Sequence, residues 1–117
     1  MSCLFNTLST FVNINLNDLR DNICNYLHSN PHLHEDINAN DYINWSGEYG
    51  NMDNYINMMK RSSTWGGAIE IKAFCNMYNI EANVANTQTG KIINFLPNTN
   101  TSSQPITINW NGGHYWR

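Results

Sequence analysis

A chain of 117 residues with 41% hydrophobic and 13% charged side chains has the composition of one folded domain, long enough to bury a real core and too short for two. Its net charge of -3 and pI near 5.7 supply no basic field for phosphate backbones, which excludes nucleic acid as the main partner. No apolar run approaches the roughly 20 residues of a membrane span, and the amino terminus lacks a signal-peptide pattern, so a soluble cytoplasmic protein is expected.

Cys3, Cys24 and Cys75 are odd in number and show no Cys-x-x-Cys spacing, so neither a disulfide framework nor a zinc site is expected. The abundance of Asn beside many Ile and Tyr fits an A+T-rich genome such as that of a virus or a parasite.

From Ser2 to about Phe11, Leu4, Phe5, Leu8, Phe11 and Val12 recur at helical intervals, predicting a helix with Cys3 at its amino-terminal end. There the helix dipole and free amides favour an anion, which makes the nucleophilic thiolate available. Asn17 is read as the cap of a second helix, from Asp18 to about Ser29, with Leu19, Ile23, Tyr26 and Leu27 facing the core and Arg20, Asp21, Asn22 and Asn25 facing water. Asn30-Pro31 ends it.

His32-Leu33-His34-Glu35 places two imidazoles beside a carboxylate, but no third or fourth ligand is visible. A solvated surface is the preferred reading, and no metal or other cofactor is expected. Tyr42, Ile43 and Trp45 are expected to anchor the following stretch. Asp53 or Asn51 caps a third helix bearing Tyr55, Ile56, Met58 and Met59.

The stretch Ser63-Thr64-Trp65-Gly66-Gly67-Ala68-Ile69-Glu70-Ile71 reads as the start of the main core helix, with Ser63 or Thr64 as cap and Glu70 supporting the cap from inside. Ala68, Ile69, Ile71, Phe74, Cys75 and Tyr78 give it an apolar surface on most sides. Two glycines in a first helical turn cost about 1 kcal/mol each relative to alanine, so something is expected to approach their backbone closely.

Beyond Asn79 the period becomes strand-like: Ile80, Ala82 and Val84; then Ile92, Ile93 and Phe95 after a Thr89-Gly90 turn; then Ile106, Ile108 and Trp110. Leu96 to Gln104 is a polar loop. Asn111-Gly112-Gly113 is a turn that delivers His114, Tyr115 and Trp116 into a last strand.

One pair is attractive on chemical grounds: a thiol at a helix start, and a histidine emerging from a Gly-Gly turn at the other end of the chain. A thiol nucleophile needs a base within reach, and folds commonly bring such partners together from distant sequence. Read from the residues alone, an inert terminal cysteine and a structural strand histidine are the alternative.

The order Cys3-Leu4-Phe5, Leu19-Arg20, Tyr55 and Met59, Trp65-Gly66-Gly67-x-x-Glu70, Ile80 and Gly113-His114-Tyr115 resembles the ovarian tumour (OTU) family of cysteine proteases over almost the whole chain. The resemblance implies a single domain over 1-117 with an α+β, papain-like fold, a small, mainly antiparallel sheet between helices. It implies cleavage of isopeptide or peptide bonds after the carboxy-terminal Gly-Gly of ubiquitin or a ubiquitin-like modifier, with Cys3 as nucleophile and His114 as general base. Trp65, Gly66, Gly67, Gly113 and Tyr115 would border the channel for the substrate tail.

Family members usually carry an Asp-Gly-Asn or Asp-Gly-Asp segment before the cysteine, whereas only Met1 and Ser2 precede Cys3, so a piece or shortened form of a larger protein is expected. Two residues beyond the histidine they commonly carry an orienting Asp or Asn; Trp116 stands there. Asn109 and Asn111 are candidate substitutes. The alternatives are a non-catalytic module that binds ubiquitin or another protein, and a viral protease that processes a polyprotein.

Overall fold

The computed structural model describes residues 3–34, 37–46, 50–61 and 66–117. The first helix, α1 (Cys3–Val12), buries Leu4, Phe5, Thr7 and Leu8 along one stripe, as the spacing predicts. The second, α2 (Leu16–Ser29), is capped by Asn15 and not by Asn17: the Asn15 side chain accepts the Asn17 N–H at 2.8 Å. An Asx cap needs an extended backbone two residues before the first free amide, and Asn15 has it, with ψ 139.

Arg20 is a larger correction, because it is buried and does not face water. It shares the helical stripe of Ile23, Cys24 and Leu27, at i, i+3, i+4 and i+7, and its guanidinium lies 4.2 Å from the centroid of the Phe5 ring.

A two-stranded antiparallel ribbon follows, β1 (His32–His34) with β2 (Ile37–Asn38), and then α3 (Ala39–Ser46). In β1, Leu33 points inward while His32 and His34 are exposed, so strand alternation explains the histidine spacing. No metal-holding group of side chains forms among the described residues; Glu35 lies outside them. Of the three expected anchors, Ile43 is buried, and the side chains of Tyr42 and Trp45 lie outside the described set.

In α4 (Met52–Met59) the cap is Asn51, whose side chain accepts the Asn54 N–H. Met59 is buried, whereas Met58 is exposed.

The core helix α5 (Ala68–Tyr78) begins after the glycines, with Gly67 as its N-cap residue. Gly66 and Gly67 therefore lie before the helix, Gly67 with extended backbone, and neither carries the expected helical cost. Ser63, Thr64 and Trp65 lie outside the described residues. Every residue from Glu70 to Cys75 is buried, which makes α5 central, although Ala68 is exposed. Asn79 closes it in the left-handed region, with φ 55.

The main sheet runs in the order β4-β3-β5-β6, formed by β3 (Ala82–Asn86), β4 (Ile92–Phe95), β5 (Ile106–Trp110) and β6 (Tyr115–Trp116). The β3–β4 hairpin and the β5–β6 pair are antiparallel, while β3 and β5 run parallel. Ala82, Val84 and Ile108 turn one face of the sheet to the helices. The loop after β4 must cross to the far side of β3, and α5 holds it there. Lys72 Nζ donates to Leu96 O and to Asn98 Oδ1, Asn76 Oδ1 accepts the Asn98 N–H, and Asn79 Nδ2 donates to Asn100 O. No helix among the described residues is long and apolar enough to cross a membrane.

Candidate active site

The two ends of the chain meet. Thr7, one turn beyond Cys3 on α1, has its hydroxyl 2.7 Å from Cys3 O and 3.3 Å from Tyr115 O, which is 108 residues away in sequence. A hydroxyl has one hydrogen, so the shorter contact takes it and the longer one marks how closely β6 lies against α1. Arg117 reinforces the docking, with its guanidinium 4.1 Å from the Phe11 ring centroid and Nη1 donating to Thr10 O at 3.2 Å. Helix propensity places Cys3 and turn chemistry places His114; this contact joins α1 to the strand that follows His114.

Cys3 is half-buried in the first turn of α1, whereas Cys24 and Cys75 are fully buried. Burial pushes the Cys24 thiol up to about 12 and the Cys75 thiol up to about 11. Neither becomes a thiolate near neutral pH, so both are core residues. All three are free thiols.

The Asn111-Gly112-Gly113 turn is built by Asn111, whose Oδ1 accepts the N–H of Gly113 at 3.1 Å and of His114 at 2.8 Å. Gly112 has φ 98, the left-handed conformation that favours glycine. His114 emerges exposed, with its ring stacked on Trp116 at a centroid distance of 5.8 Å and an interplanar angle of 14°. Among the described residues no hydrogen bond joins the Cys3 thiol to the His114 ring. Catalytic hydrogen bonds are often long before substrate binds. Of the two candidate orienting residues, Asn111 is committed to the turn; Asn109 sits opposite Trp116 in the β5–β6 register.

Tyr115 faces the other way and stacks on Trp110 at 6.1 Å. Its hydroxyl is pushed up by burial and then by the neighbouring charges of Cys3 and Glu70. It is therefore a neutral hydrogen-bond donor close to the Cys3 end of α1.

Gly66 answers the question of what approaches the glycines. A Cβ there would lie 2.9 Å from Leu4 Cδ2 and 3.0 Å from Phe5 Cε2, so the cysteine helix itself packs on this backbone. At Gly67 and Gly113 an added Cβ would meet nothing within 4 Å. Trp65, the remaining expected wall, lies outside the described residues.

Behind these glycines Glu70 supports the helix cap from inside, as the sequence predicts, and it belongs to a buried polar cluster whose other members, Tyr55 and Arg20, sequence reasoning missed. Glu70 Oε1 accepts the Gly67 N–H at 2.7 Å, Tyr55 Oη donates to Glu70 Oε2, and Arg20 Nη1 donates to Met59 O. Burial pushes the Glu70 carboxyl up, against the hydrogen bonds from Tyr55 and Gly67 and the charge of Arg20, which pull it down. Through the Arg20–Phe5 contact the cluster joins α1, α2, α4 and α5. The available signal was Arg20 itself, the one charged residue on the apolar stripe of α2.

The fold and these placements define a class: an α+β domain in which a cysteine opens a helix and that helix docks on the strand following a histidine, the layout of a papain-type thiol hydrolase. The chain belongs to the OTU-like cysteine protease family, whose model matches residues 2–115. It is 35% identical over 63 residues to ubiquitin thioesterase otu2 of Schizosaccharomyces pombe, covering 54% of this chain and 21% of that protein. It is 38% identical over 61 residues to ubiquitin thioesterase OTU1 of Homo sapiens, covering 52% of this chain and 17% of that protein. A solved OTU domain in complex with ubiquitin matches with a TM-score of 0.74 and 26% identity, over 97% of this chain and 61% of that one. The chain thus spans a minor part of the curated relatives and under two thirds of the solved domain.

Proposed function

We propose that this chain is a cysteine deubiquitinase domain that cleaves peptide or isopeptide bonds after the carboxy-terminal Gly-Gly of ubiquitin or a ubiquitin-like modifier. The observation that supports the reading is the docking of α1 on β6, where Thr7, one turn beyond Cys3, lies against Tyr115, the residue after His114. His114 takes the Cys3 thiol proton, and the thiolate attacks the carbonyl carbon of the scissile bond. The tetrahedral intermediate expels the amine, which leaves with the proton from His114, and a thioester to Cys3 remains. Water, activated by His114, then hydrolyses the thioester and restores the thiol.

The channel for the tail is assigned to Trp65, Gly66, Gly67, Gly113 and Tyr115. The open space over Gly67 and Gly113 suits a Gly-Gly tail, the slimmest peptide, while Gly66 sets how closely the wall stands to α1. The three free thiols suit a reducing compartment, and we place the reaction in the cytoplasm.

The test is ubiquitin carrying an electrophilic carboxy terminus. Labelling that disappears in Cys3→Ala and persists in Cys24→Ala and Cys75→Ala supports the enzyme. Measurable ubiquitin binding without labelling replaces it by a binding module.

A further inference from the structure

A general base that emerges exposed from a glycine turn needs something to hold its ring, and Trp116 is where an orienting Asp or Asn is expected. An indole has no acceptor for the imidazole N–H, so the usual hydrogen bond is unavailable there. Asn111 cannot serve either, because its Oδ1 already accepts the Gly113 and His114 backbone amides. What the structure places on the ring is the indole face, at 5.8 Å and 14°.

We propose that Trp116 is the positioning residue for His114, fixing the imidazole plane by stacking in place of a hydrogen bond. The proposal rests on the reading of His114 as general base. Residues two apart on an extended strand project to the same side, so the turn that delivers His114 also sets its ring nearly parallel to the indole, in an offset stack. Trp116 itself is half-buried and pinned by pairing with Asn109 on β5, so the better-held ring restrains the more exposed one. Stacking engages the face of the imidazole and leaves both ring nitrogens at the edge, available to the thiol and to the leaving amine. The negative face of the indole also attracts the imidazolium that forms when His114 takes the Cys3 proton.

The experiment is turnover of ubiquitin bearing a fluorogenic carboxy-terminal amide by the full chain and its Trp116 variants. Trp116→Leu is expected to lower kcat about tenfold with KM unchanged, the effect of losing one aromatic contact that matters in the transition state. Trp116→Phe keeps a ring and is expected to retain kcat within about twofold, and Trp116→Asn, which supplies an acceptor, is expected to recover most of it. In NMR spectra the His114 ring protons should be shifted upfield by the indole ring current in the wild type and released in Trp116→Leu.

An active wild type with Trp116→Leu equally active overturns the proposal alone. So does loss of activity in the Phe and Leu variants alike, or a rise in KM as the main effect. A wild type that neither turns over nor reacts with an electrophilic ubiquitin overturns the reading of His114 as base and this proposal with it. Should Trp116→Leu fail to fold, unshifted His114 ring protons in the wild type overturn the stacking.

Discussion

The carboxyl group of Glu70 accepts the backbone N–H of Gly67 at 2.7 Å, so a buried acceptor at the start of α5 holds the backbone that faces the cysteine helix. Its other oxygen accepts from Tyr55; with glutamine the amide nitrogen takes that place, so the Tyr55 hydroxyl must turn from donor to acceptor and its hydrogen loses the Glu70 acceptor. Glu70→Gln is expected to lower stability by about 1–3 kcal/mol, the cost of leaving a buried donor unpaired, measured by urea unfolding.

The same residue carries a pH signature. Burial raises its folded pKa above the ordinary carboxylate value, so the folded state holds this proton more tightly than the unfolded chain does. The associated stability is fully present below the unfolded pKa and is lost as pH rises through the raised folded value. The stability gap between wild type and Glu70→Gln should therefore narrow from acid to neutral pH; a gap that widens contradicts the burial argument.

Gly66 and Gly67 are adjacent yet should respond differently to alanine. At Gly66 the new methyl meets Leu4 and Phe5, and the Phe5 ring is fully buried, so Gly66→Ala is expected to cost about 1–3 kcal/mol by overpacking. At Gly67 nothing lies within 4 Å and φ is -151. There Gly67→Ala should cost under about 1 kcal/mol, the preference of an N-cap against alanine. Thermal unfolding of the two variants checks the order.

Thiol reactivity should separate the cysteines. In the native protein at neutral pH, iodoacetamide is expected to modify Cys3 alone, since Cys24 and Cys75 are fully buried with thiols pushed up to about 12 and about 11. Peptide mass mapping should find the other two only after unfolding. Native labelling of Cys24 at a rate like that of Cys3 would contradict the burial.

Lys72 is a buried cation that ties the crossing loop to α5 through Leu96 O and Asn98. Lys72→Met is expected to remove about 1–2 kcal/mol and to speed hydrogen exchange at the Asn98 amide, which Asn76 otherwise holds at 3.1 Å. Exchange unchanged at that amide would mean that Asn76 and Asn79 hold the loop without the lysine.

The sequence by itself determined the elements whose signal is local. Apolar residues at helical spacing marked α1, α2 and α5, alternation marked β3 and β5, and the Asn-Gly-Gly turn placed His114 before a last strand, because periodicity and turn chemistry act over a few residues. The family was legible for the same reason, in short motifs around Cys3, Glu70 and His114. Tertiary structure alone decided the rest. Arg20 is inside because Phe5 and α4 close over it, and Gly66 is required because α1 comes within contact distance. Thr7, one turn beyond Cys3, meets Tyr115 only because β6 packs on a helix 108 residues away. Such contacts depend on which surfaces meet, and no local pattern encodes that.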